Sequence, residues 1–435
     1  MNLFEKIEEP IMIIGEKLNN NKALRILRDA FMLAFPLTIF GSIMLVIANF
    51  PYLDKLLGAD GLAALQNALN PASTATMSIA TVFVCLGIGY YFSKEEEEEV
   101  DPIFGAAIAL TAFLLLTPFE APIGDTGEML DGVFHIDRLG AKGMFVGMFG
   151  SFLAAWLYAK VVKKNWVIKM PPSVPSAVSK SFAALIPAVI TLSVFLLIRI
   201  AFTFTPWGNV HDFIYEIIQT PLTNLGKGLV ATLIAVFAIQ LLWFFGLHGQ
   251  IIVNSVVDPI WNTLSLENFD AFQAGEAIPN VVTKQFMETF TVGLGGTGMT
   301  LIVLIIILIF MKSRQLKEVG KLALPAGIFN VNEPTIFGLP IVLNPIIAIP
   351  WIIAPIIATS VAYFAMSTGL VPPTTGVAVP WTTPVFISGM LATNSFMGGV
   401  LQLVQMFVVG LVWFPFLKAL DKRNVIEEKS FNAEA

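Results

Sequence analysis

The stretch Asn330-Val331-Asn332-Glu333-Pro334-Thr335, continued by Ile336-Phe337-Gly338-Leu339-Pro340, places a carboxylate and two amides in the most hydrophobic third of the chain. A charged group at bilayer depth costs about 2.5 to 3.5 kcal/mol, so an acid there is a candidate functional residue. Pro334 and Gly338 interrupt a regular helix, and irregular backbone survives at membrane depth only where protein or a water-filled cavity satisfies its polar groups. The motif therefore predicts a polar ligand cavity inside a membrane protein.

The composition of the 435-residue chain is that of a polytopic membrane protein, with 56% hydrophobic and only 13% charged residues. The longest polar stretches are loop-sized, so we expect no soluble domain. The net charge of −6 is spread over loops, and no nucleic-acid partner is expected. The acidic run from Glu95 to Glu99 lacks the spaced ligands and turn residues of a hard-cation loop. We interpret it as a solvated loop and predict neither a metal ion nor another cofactor.

Nine apolar segments approach the length of about 20 residues that crosses a bilayer as a helix. Several of them are shorter or more interrupted than a simple span. They are Ala30 to Phe50, Ala75 to Phe92, Ile103 to Thr117, Lys142 to Val162, Phe182 to Phe204, Leu229 to Leu247, Met299 to Met311, Pro340 to Met366 and Gly398 to Phe416.

Lysine and arginine set the predicted orientation. The positive-inside rule assigns four basic clusters, and with them both termini, to the cytoplasm. The clusters are Lys22, Arg25 and Arg28; Lys160, Lys163, Lys164 and Lys169; Lys312, Arg314, Lys317 and Lys321; and Lys418, Lys422 and Arg423. An even number of crossings must separate any two clusters, but only three spans are visible between the second and the third. Either one of those three does not cross, or a further crossing lies between His248 and Phe290, which is the interpretation that we favour.

Two Pro/Gly-rich apolar segments, Leu324 to Leu339 and Val371 to Asn394, are left without a crossing. They are typical of re-entrant hairpins, which transporters use to place helix ends at the middle of the membrane. The predicted fold is therefore an all-α integral membrane protein with about ten transmembrane helices plus two re-entrant hairpins. The apolar spacing within residues 1–21 predicts an amphipathic interfacial helix rather than a signal peptide.

His248 ends an apolar span between Gly246 and Gly249. It is either a structural histidine bonded to a neighbouring carbonyl or a residue of the cavity, and the flanking glycines favour the cavity because they allow close approach of backbone or ligand. Gln250 and Asn254 follow at helical spacing. These polar side chains are candidates for the same site.

Two further candidates have competing interpretations. Lys284 lines the cavity or forms an intrahelical ion pair with Glu288, four residues later, and the pair is favoured. Trp381 is either an aromatic residue of the membrane interface or a platform for a sugar ring. Its position between Pro380 and Pro384, in a broken rather than a continuous helix, keeps the second interpretation open.

The motif Phe245-Gly246-Leu247-His248-Gly249, followed some eighty residues later by the motif that runs from Asn330 to Gly338, resembles a known family. It is similar to the membrane-embedded IIC permease of the bacterial phosphoenolpyruvate-dependent sugar phosphotransferase system, in its lactose/cellobiose/diacetylchitobiose family. The resemblance covers essentially the whole chain. It is closest to the cellobiose or N,N'-diacetylchitobiose type, because lactose permeases of the family usually carry a fused IIB domain and this chain stops soon after its last span.

The resemblance implies a β-linked disaccharide as substrate and a phosphorylated IIB protein that docks on the cytoplasmic face. The sugar is expected to move inward and to be phosphorylated on its 6-hydroxyl by a phosphocysteine of IIB, a role that mid-span Cys85 cannot take. Glu333 and His248 correspond to residues near the reacting hydroxyl, where a carboxylate can orient that group and accept its proton. Trp381 would form the ring platform. Further contacts with the sugar are expected from Asn330, Asn332, Thr335, Gln250, Asn254 and Lys284.

The resemblance also implies a division of labour along the chain. We expect residues 22–205 to form a dimerisation and scaffold half, residues 206–420 to form a substrate-binding half that moves like an elevator, and residues 421–435 to form a cytoplasmic tail. The expected assembly is a homodimer among the lipids of the bacterial cell membrane. The alternative function is an ion-coupled secondary transporter, in which Glu333, His248 and Lys284 would relay protons or hold the coupling ion.

Overall fold

Helices make up nearly all of the regular structure of the chain. The computed structural model describes residues 13, 17–18, 20–49, 53–96, 100–123, 128–339 and 341–434. Most of the predicted interfacial helix at residues 1–21 lies outside these residues. Within them, the strands β1 (Glu120–Pro122) and β2 (Met129–Asp131) pair antiparallel with Glu120 opposite Asp131, and form the one sheet.

The first half of the chain contains six helices of at least 15 residues and two short ones. Three-residue 3₁₀ turns lie at Ile136–Arg138 and Ala141–Gly143, and a π-helical segment at Tyr215–Gln219 joins the two short helices. The helices are α1 (Lys22–Ala48), α2 (Leu53–Thr74), α3 (Ala80–Lys94), α4 (Pro102–Leu116), α5 (Met144–Lys163), α6 (Ser176–Phe202), α7 (Val210–Ile214) and α8 (Thr220–Gly226).

The second half alternates long helices with short or broken ones. A π-helical segment at Glu288–Val292 follows directly on a helix of four residues. The helices are α9 (Leu229–Phe244), α10 (Gly249–Ala274), α11 (Lys284–Met287), α12 (Leu301–Phe310), α13 (Arg314–Ile328), α14 (Glu333–Gly338), α15 (Pro345–Ser367), α16 (Ile387–Thr393) and α17 (Phe396–Glu434).

Each of the nine predicted apolar spans coincides with a helix, so the all-α membrane class is confirmed. Among the described residues, five helices are long and apolar enough to cross a membrane unaided, namely α1, α5, α6, α15 and α17. The chain segments that form α7 to α9 add a sixth if they count as one broken span. Helices α4 and α12 are strongly apolar but only 15 and 10 residues long.

A long helix occupies the region where the sequence shows no apolar span. Helix α10 runs for 26 residues from Gly249 to Ala274, within the segment that was predicted to hide a crossing. It escapes a hydropathy search because polar side chains recur along it, and because Pro259 stands in its interior. A helix therefore lies where the favoured interpretation placed a further crossing, and the crossing itself stays a prediction.

The chain divides into two compact units. The N-terminal unit contains residues 21–44 and 68–224, and helices α4 to α6 pack there around a core that includes Phe113 and Phe195. The C-terminal unit contains the described residues of 1–20, 45–67 and 225–435, and its core includes Trp351 and Trp413. Cys85 is fully buried in the first of these cores, as expected for a small apolar residue.

The acidic loop after α3 forms ion pairs at its first two residues, while Glu95 remains exposed as predicted for a solvated loop. Glu95 accepts a hydrogen bond from Arg25 at 3.0 Å, while Glu96 pairs with Lys163 at 2.5 Å and also with Lys22. Burial acts to raise the pKa of Glu96, but the hydrogen bonds from the two lysines outweigh it, so the pKa lies below its usual value. Residues 97–99 of the run lie outside the described residues.

The last helix continues past residue 420, where the sequence predicted a tail, and holds the start of α13. The Asp421 carboxylate accepts hydrogen bonds from the backbone N–H groups of Lys312 and Ser313 at 2.8 and 2.7 Å. The Glu428 carboxylate accepts one from the Ser313 hydroxyl at 2.7 Å and one from the Gln315 N–H at 3.0 Å. These acids satisfy N–H groups that a helix N-terminus leaves unpaired, and they suit its positive end.

Candidate functional site

Three interruptions of helical structure meet at the side chain of Asn330 in the C-terminal unit. Asn330 has a positive φ of 64° and is 3% exposed. Its amide oxygen accepts a hydrogen bond from the Gly295 N–H at 2.8 Å, and its amide nitrogen donates to the carbonyls of Trp381 at 2.6 Å and Thr383 at 3.0 Å. The turn between α13 and α14, the glycine-rich loop before α12 and the loop before α16 are therefore fastened by one buried amide.

The glycine-rich loop, residues 293–298, needs its glycines for close packing. Gly296 has a φ of 83°, and a Cβ added there would lie 2.5 Å from the side-chain carbon Cγ of Asn332. A Cβ on Gly298 would lie 2.2 Å from the ring of Trp351. Asn332 donates from its amide to the carbonyl of Thr297 at 2.5 Å. Both amides of the deciding motif thus bind this loop, and substitution of either glycine would displace them.

Two residues of the motif, Glu333 and Thr335, differ in their exposure to solvent. Glu333 is the first residue of α14 and its side chain is exposed. Thr335, which was predicted to contact the ligand, is fully buried, and its hydroxyl has no hydrogen-bond partner among the described residues. Pro334 lies in the first turn of the short helix, where its missing N–H costs nothing. The carboxylate is the accessible ionisable group of this motif.

His248 has a structural role at the start of α10, and its place in a ligand cavity stays a prediction. It is the N-cap residue of α10, and its Nδ1 accepts a hydrogen bond from the Ile251 N–H at 3.3 Å. The ring remains exposed and lies against Trp243 with a centroid separation of 4.5 Å. Because Nδ1 accepts, the neutral ring carries its proton on Nε2, which is left to donate to a ligand.

Three polar side chains spaced four residues apart follow His248 along one face of α10. They are Gln250, Asn254 and Asp258. The amide oxygen of Gln250 accepts a hydrogen bond from the Thr297 hydroxyl at 3.0 Å, so this end of the stripe reaches the glycine-rich loop. Asn254 is half-buried and makes no hydrogen bond to a described residue. It is the member of the stripe whose amide is open to a ligand.

At the far end of the stripe, Lys284 lies between two carboxylates. Its Nζ is 2.7 Å from Asp258 Oδ1 and 3.4 Å from Glu288 Oε1, and the side chains of Lys284, Asp258 and Glu288 are only 16%, 19% and 18% exposed. The predicted pair with Glu288 is present. Asp258 was not identified from the sequence, because the two partners stand 26 positions apart in the chain. The ammonium predicted to contact the ligand is therefore already engaged, and the triad carries one net negative charge.

Two buried glutamines on α17 form hydrogen bonds with the backbone of the neighbouring broken helices. The amide oxygen of Gln402 accepts from the Gly389 N–H at 2.9 Å, and its amide nitrogen donates to the Thr289 carbonyl at 2.9 Å. Gln405 donates to the Phe290 carbonyl at 2.8 Å. The π-helical segment before the glycine-rich loop thus gains partners that its own backbone does not supply. The sequence signal was two glutamines three residues apart in an otherwise apolar span.

Trp381 stands on a fixed loop with an open ring. Its carbonyl is held by Asn330, while its side chain is 48% exposed. The bond from Asn330 uses the backbone carbonyl of Trp381, so the anchoring of the loop does not depend on the ring. Both interpretations of this tryptophan, interfacial anchor and ring platform, require such exposure.

Removal of the Asn330 amide gives the first testable prediction. Asn330→Ala leaves one N–H and two carbonyls without their partner in a buried region, so we expect the free energy of unfolding to fall by about 2 kcal/mol. Chemical denaturation of the detergent-solubilised protein measures this difference. Asn254→Ala is the matched control, because that amide has no partner among the described residues, and its unfolding should be unchanged. Equal stability of both variants would contradict the role given to Asn330.

Comparison with known proteins agrees with the resemblance. The family model described as "Phosphotransferase system, EIIC" matches residues 28–355. The "PTS system oligo-beta-mannoside-specific EIIC component" of Bacillus subtilis (strain 168) is 60% identical over 427 residues, which cover 98% of this chain and 96% of that protein. The "PTS system cellobiose-specific EIIC component" of Geobacillus stearothermophilus is 38% identical over 434 residues, covering 98% of this chain and 95% of that protein.

A solved structure has the same fold. The crystal structure of the transporter ChbC, the IIC component from the N,N'-diacetylchitobiose-specific phosphotransferase system, aligns with a TM-score of 0.90 and 38% identity, covering 97% of this chain and 99% of that one. The family match, the identities and the shared fold span nearly the whole molecule. The chain therefore belongs to the EIIC family of the phosphotransferase system, whose members are integral membrane permeases for sugars.

Proposed function

We propose that this permease binds a β-linked disaccharide beside Glu333 and His248, carries it across the membrane and presents its 6-hydroxyl to a phosphorylated IIB protein. The observation that carries the proposal is that the C-terminal unit exposes a carboxylate at the start of α14 and, at the start of α10, a histidine that offers an Nε2 proton. A hydroxyl needs one acceptor and one donor to be held in a single orientation. Purified permease and phosphorylated IIB, mixed with a labelled disaccharide, should yield the sugar 6-phosphate.

Glu333 is assigned the acceptor role in the transfer step. The oxygen of the 6-hydroxyl forms a bond with the phosphorus of the IIB phosphocysteine, the sulfur–phosphorus bond breaks, and the thiolate leaves. The hydroxyl proton passes to the Glu333 carboxylate. His248 is assigned the donor role, because its Nδ1 is taken by the Ile251 N–H and its Nε2 can only donate while the ring is neutral. No other group of this chain is proposed to transfer a proton.

The remaining polar residues are assigned by whether their side chains are available. Asn254 and Gln250 are proposed to bind sugar hydroxyls directly. Asn330 and Asn332 are proposed to position the loops around the sugar, because their amides are used by backbone groups of those loops. Thr335 and Lys284 are proposed to support the site without contacting the sugar. Thr335 is fully buried, and Lys284 is paired with two acids.

The 2-position of the sugar is proposed to decide the substrate. Mannose, glucose and N-acetylglucosamine units carry there an axial hydroxyl, an equatorial hydroxyl and an acetamido group. The 60% identical relative is named for oligo-β-mannosides, whereas two relatives at 38% identity are named for cellobiose and N,N'-diacetylchitobiose. We therefore propose a β-mannoside as the preferred substrate, ahead of the cellobiose and diacetylchitobiose expected from the sequence. Competition of the three disaccharides for one labelled ligand tests this order.

Trp381→Ala should weaken sugar binding about two- to tenfold, since an aromatic contact contributes about 0.5 to 1.5 kcal/mol beyond burial of its area. Trp381→Phe keeps a ring and should recover most of the affinity. Titration of the purified permease with mannobiose measures the change. Trp156→Ala, which removes a ring of similar exposure from the N-terminal unit, is the matched control. Unchanged affinity of Trp381→Ala would assign this tryptophan to the membrane interface.

The transport cycle is proposed to use the two halves differently. Residues 206–420 would carry the sugar in an elevator-like movement between re-entrant hairpins, and residues 22–205 would form the dimer interface. About ten crossings with both termini in the cytoplasm of a bacterium remain the proposed topology. Support comes from the four basic clusters and from the breaks at the ends of α13 and α16. Labelling of single cysteines in intact cells would test the orientation.

A further inference from the structure

A small cavity in the N-terminal unit lies outside the residues assigned to the sugar site. Its volume is about 200 Å³, and it has both polar and apolar lining residues: Asp101, Tyr158, Asn165, Lys169 and Lys180, with two valines and two alanines. A water molecule takes about 30 Å³ of liquid, so the space admits a group several times larger. Tyr158 is 2% exposed, and Asn165 has a φ of 57° in the turn that follows α5. The cavity is thus formed by the ends of helices rather than by a passing surface groove.

The charge of this cavity is positive. Lys180 pairs with Asp101 at 2.8 Å, which neutralises one of its two lysines. Lys169 is exposed and forms no ion pair with a described residue. Outside the cavity, Lys163 is paired with Glu96, while Lys160 and Lys164 add to the positive potential of the surroundings. An anion is the ligand that such a potential favours.

The same end of α5 has the features of a membrane–water boundary. Lys160 Nζ lies 4.4 Å from the ring centroid of Trp156, and Lys164 Nζ lies 5.3 Å from that of Trp166. The two tryptophans are 45% and 53% exposed. Exposed tryptophans beside lysines at the end of an apolar helix are typical of the level at which lipid headgroups lie. A cavity at that level lies next to lipid headgroups, so these are more accessible to it than a soluble protein is.

We propose that the cavity lined by Lys169 and Lys180 binds the phosphate of an anionic phospholipid headgroup. The phosphodiester would lie beside the Lys169 ammonium, which binds phosphate as a point charge, while Lys180 stays paired with Asp101. The amide of Asn165 and the hydroxyl of Tyr158 are hydrogen-bond donors beside it. Basic pockets between transmembrane helices at a membrane surface are suited to lipids of this class. Under the proposed orientation the bound lipid belongs to the cytoplasmic leaflet.

The test measures the thermal unfolding midpoint of the full chain in neutral detergent while phosphatidylglycerol is added. We expect a saturable rise, and no rise with phosphatidylcholine or with inorganic phosphate. Lys169→Gln should require about five times more phosphatidylglycerol for half of the effect, the change expected of one lysine near an anionic surface. Lys169→Arg should keep the wild-type response. Lys164→Gln removes an equal charge five residues away, outside the cavity, and should change the requirement less than twofold.

Three results would overturn the proposal. Equal weakening by Lys164→Gln and Lys169→Gln would mean that lipid is attracted by the basic segment as a whole. Saturable stabilisation by inorganic phosphate alone would mean that the cavity takes a free anion. An unchanged lipid response in Lys169→Gln, combined with weaker binding of phosphorylated IIB, would make this a protein-docking surface. Because Lys169 is exposed and unpaired among the described residues, its variants should unfold like the wild type without lipid, which keeps each result interpretable.

Discussion

Glu333→Gln should lower the rate of sugar phosphorylation by two to four orders of magnitude, the typical range for the loss of a general base, while sugar affinity stays close to that of the wild type. The amide keeps a carbonyl oxygen that accepts the hydrogen bond from the 6-hydroxyl, but it cannot take up the proton. Affinity is measured by titration with mannobiose, and transfer by single-turnover phosphorylation with excess phosphorylated IIB. A loss of phosphoryl transfer without a loss of sugar affinity distinguishes a general base from a residue that only binds the sugar.

The control for this substitution is Glu318→Gln. Glu318 is a carboxylate on the preceding helix α13, is 64% exposed and pairs with Lys321. Its neutralisation should leave both affinity and transfer unchanged. If Glu333→Gln lost affinity and transfer by the same factor, the carboxylate would serve binding alone and the proton would have to go elsewhere. His248→Gln, which retains a donor but no ring, should lower transfer less than Glu333→Gln does.

Lys284→Met should destabilise the C-terminal unit by about 3 to 5 kcal/mol, because it leaves two buried carboxylates without their cation. Asp258 and Glu288 lie 2.7 and 3.4 Å from the ammonium, and the three side chains are less than one fifth exposed. The free energy of unfolding in denaturant gives the difference. Neutralising both acids as well, in Asp258→Asn/Lys284→Met/Glu288→Gln, should restore most of the stability, because no unpaired charge remains.

The control is Lys321→Met, which breaks the ion pair with Glu318. Both partners of that pair are more than 60% exposed, so the loss should be well under about 1 kcal/mol. A loss from Lys284→Met no larger than this would show that solvent reaches the triad freely. Failure of the triple variant to recover stability would assign the lysine a packing role beyond its charge.

Long apolar helices and the interruptions between them could be predicted from the sequence. Nine spans were visible because apolar residues dominate them, and the segments at 324–339 and 371–394 were visible because proline and glycine recur in them. Helix α10 was found only by counting basic clusters, since Gln250, Asn254 and Asp258 lower its hydropathy. A polar stripe on a membrane helix looks like a loop in a search based on hydropathy alone.

Glu333 and His248 were candidates from the sequence and are exposed in the structure, but the partners of the other polar residues could not be predicted. Asn330 has the donors and acceptor that suit a sugar, and in the folded chain three backbone groups use them instead. The residue type determines which hydrogen bonds a side chain can form. Its actual partners depend on backbone groups that are distant in the sequence, here the N–H of Gly295 and the carbonyls of residues 381 and 383. The same holds for Asp258 and Lys284, whose contact is set by packing rather than by helical spacing.

The central claim is that this permease delivers its sugar to a phosphoryl donor on another protein. The most direct measurement follows radiolabelled mannobiose into cells that express the chain with and without its phosphorylated IIB partner, and identifies the intracellular product. The account predicts that sugar 6-phosphate accumulates only when the partner is present, and that a proton uncoupler added to partner-supplied cells does not prevent it at once. Accumulation of unmodified sugar against a gradient without the partner, abolished by the uncoupler, would contradict it.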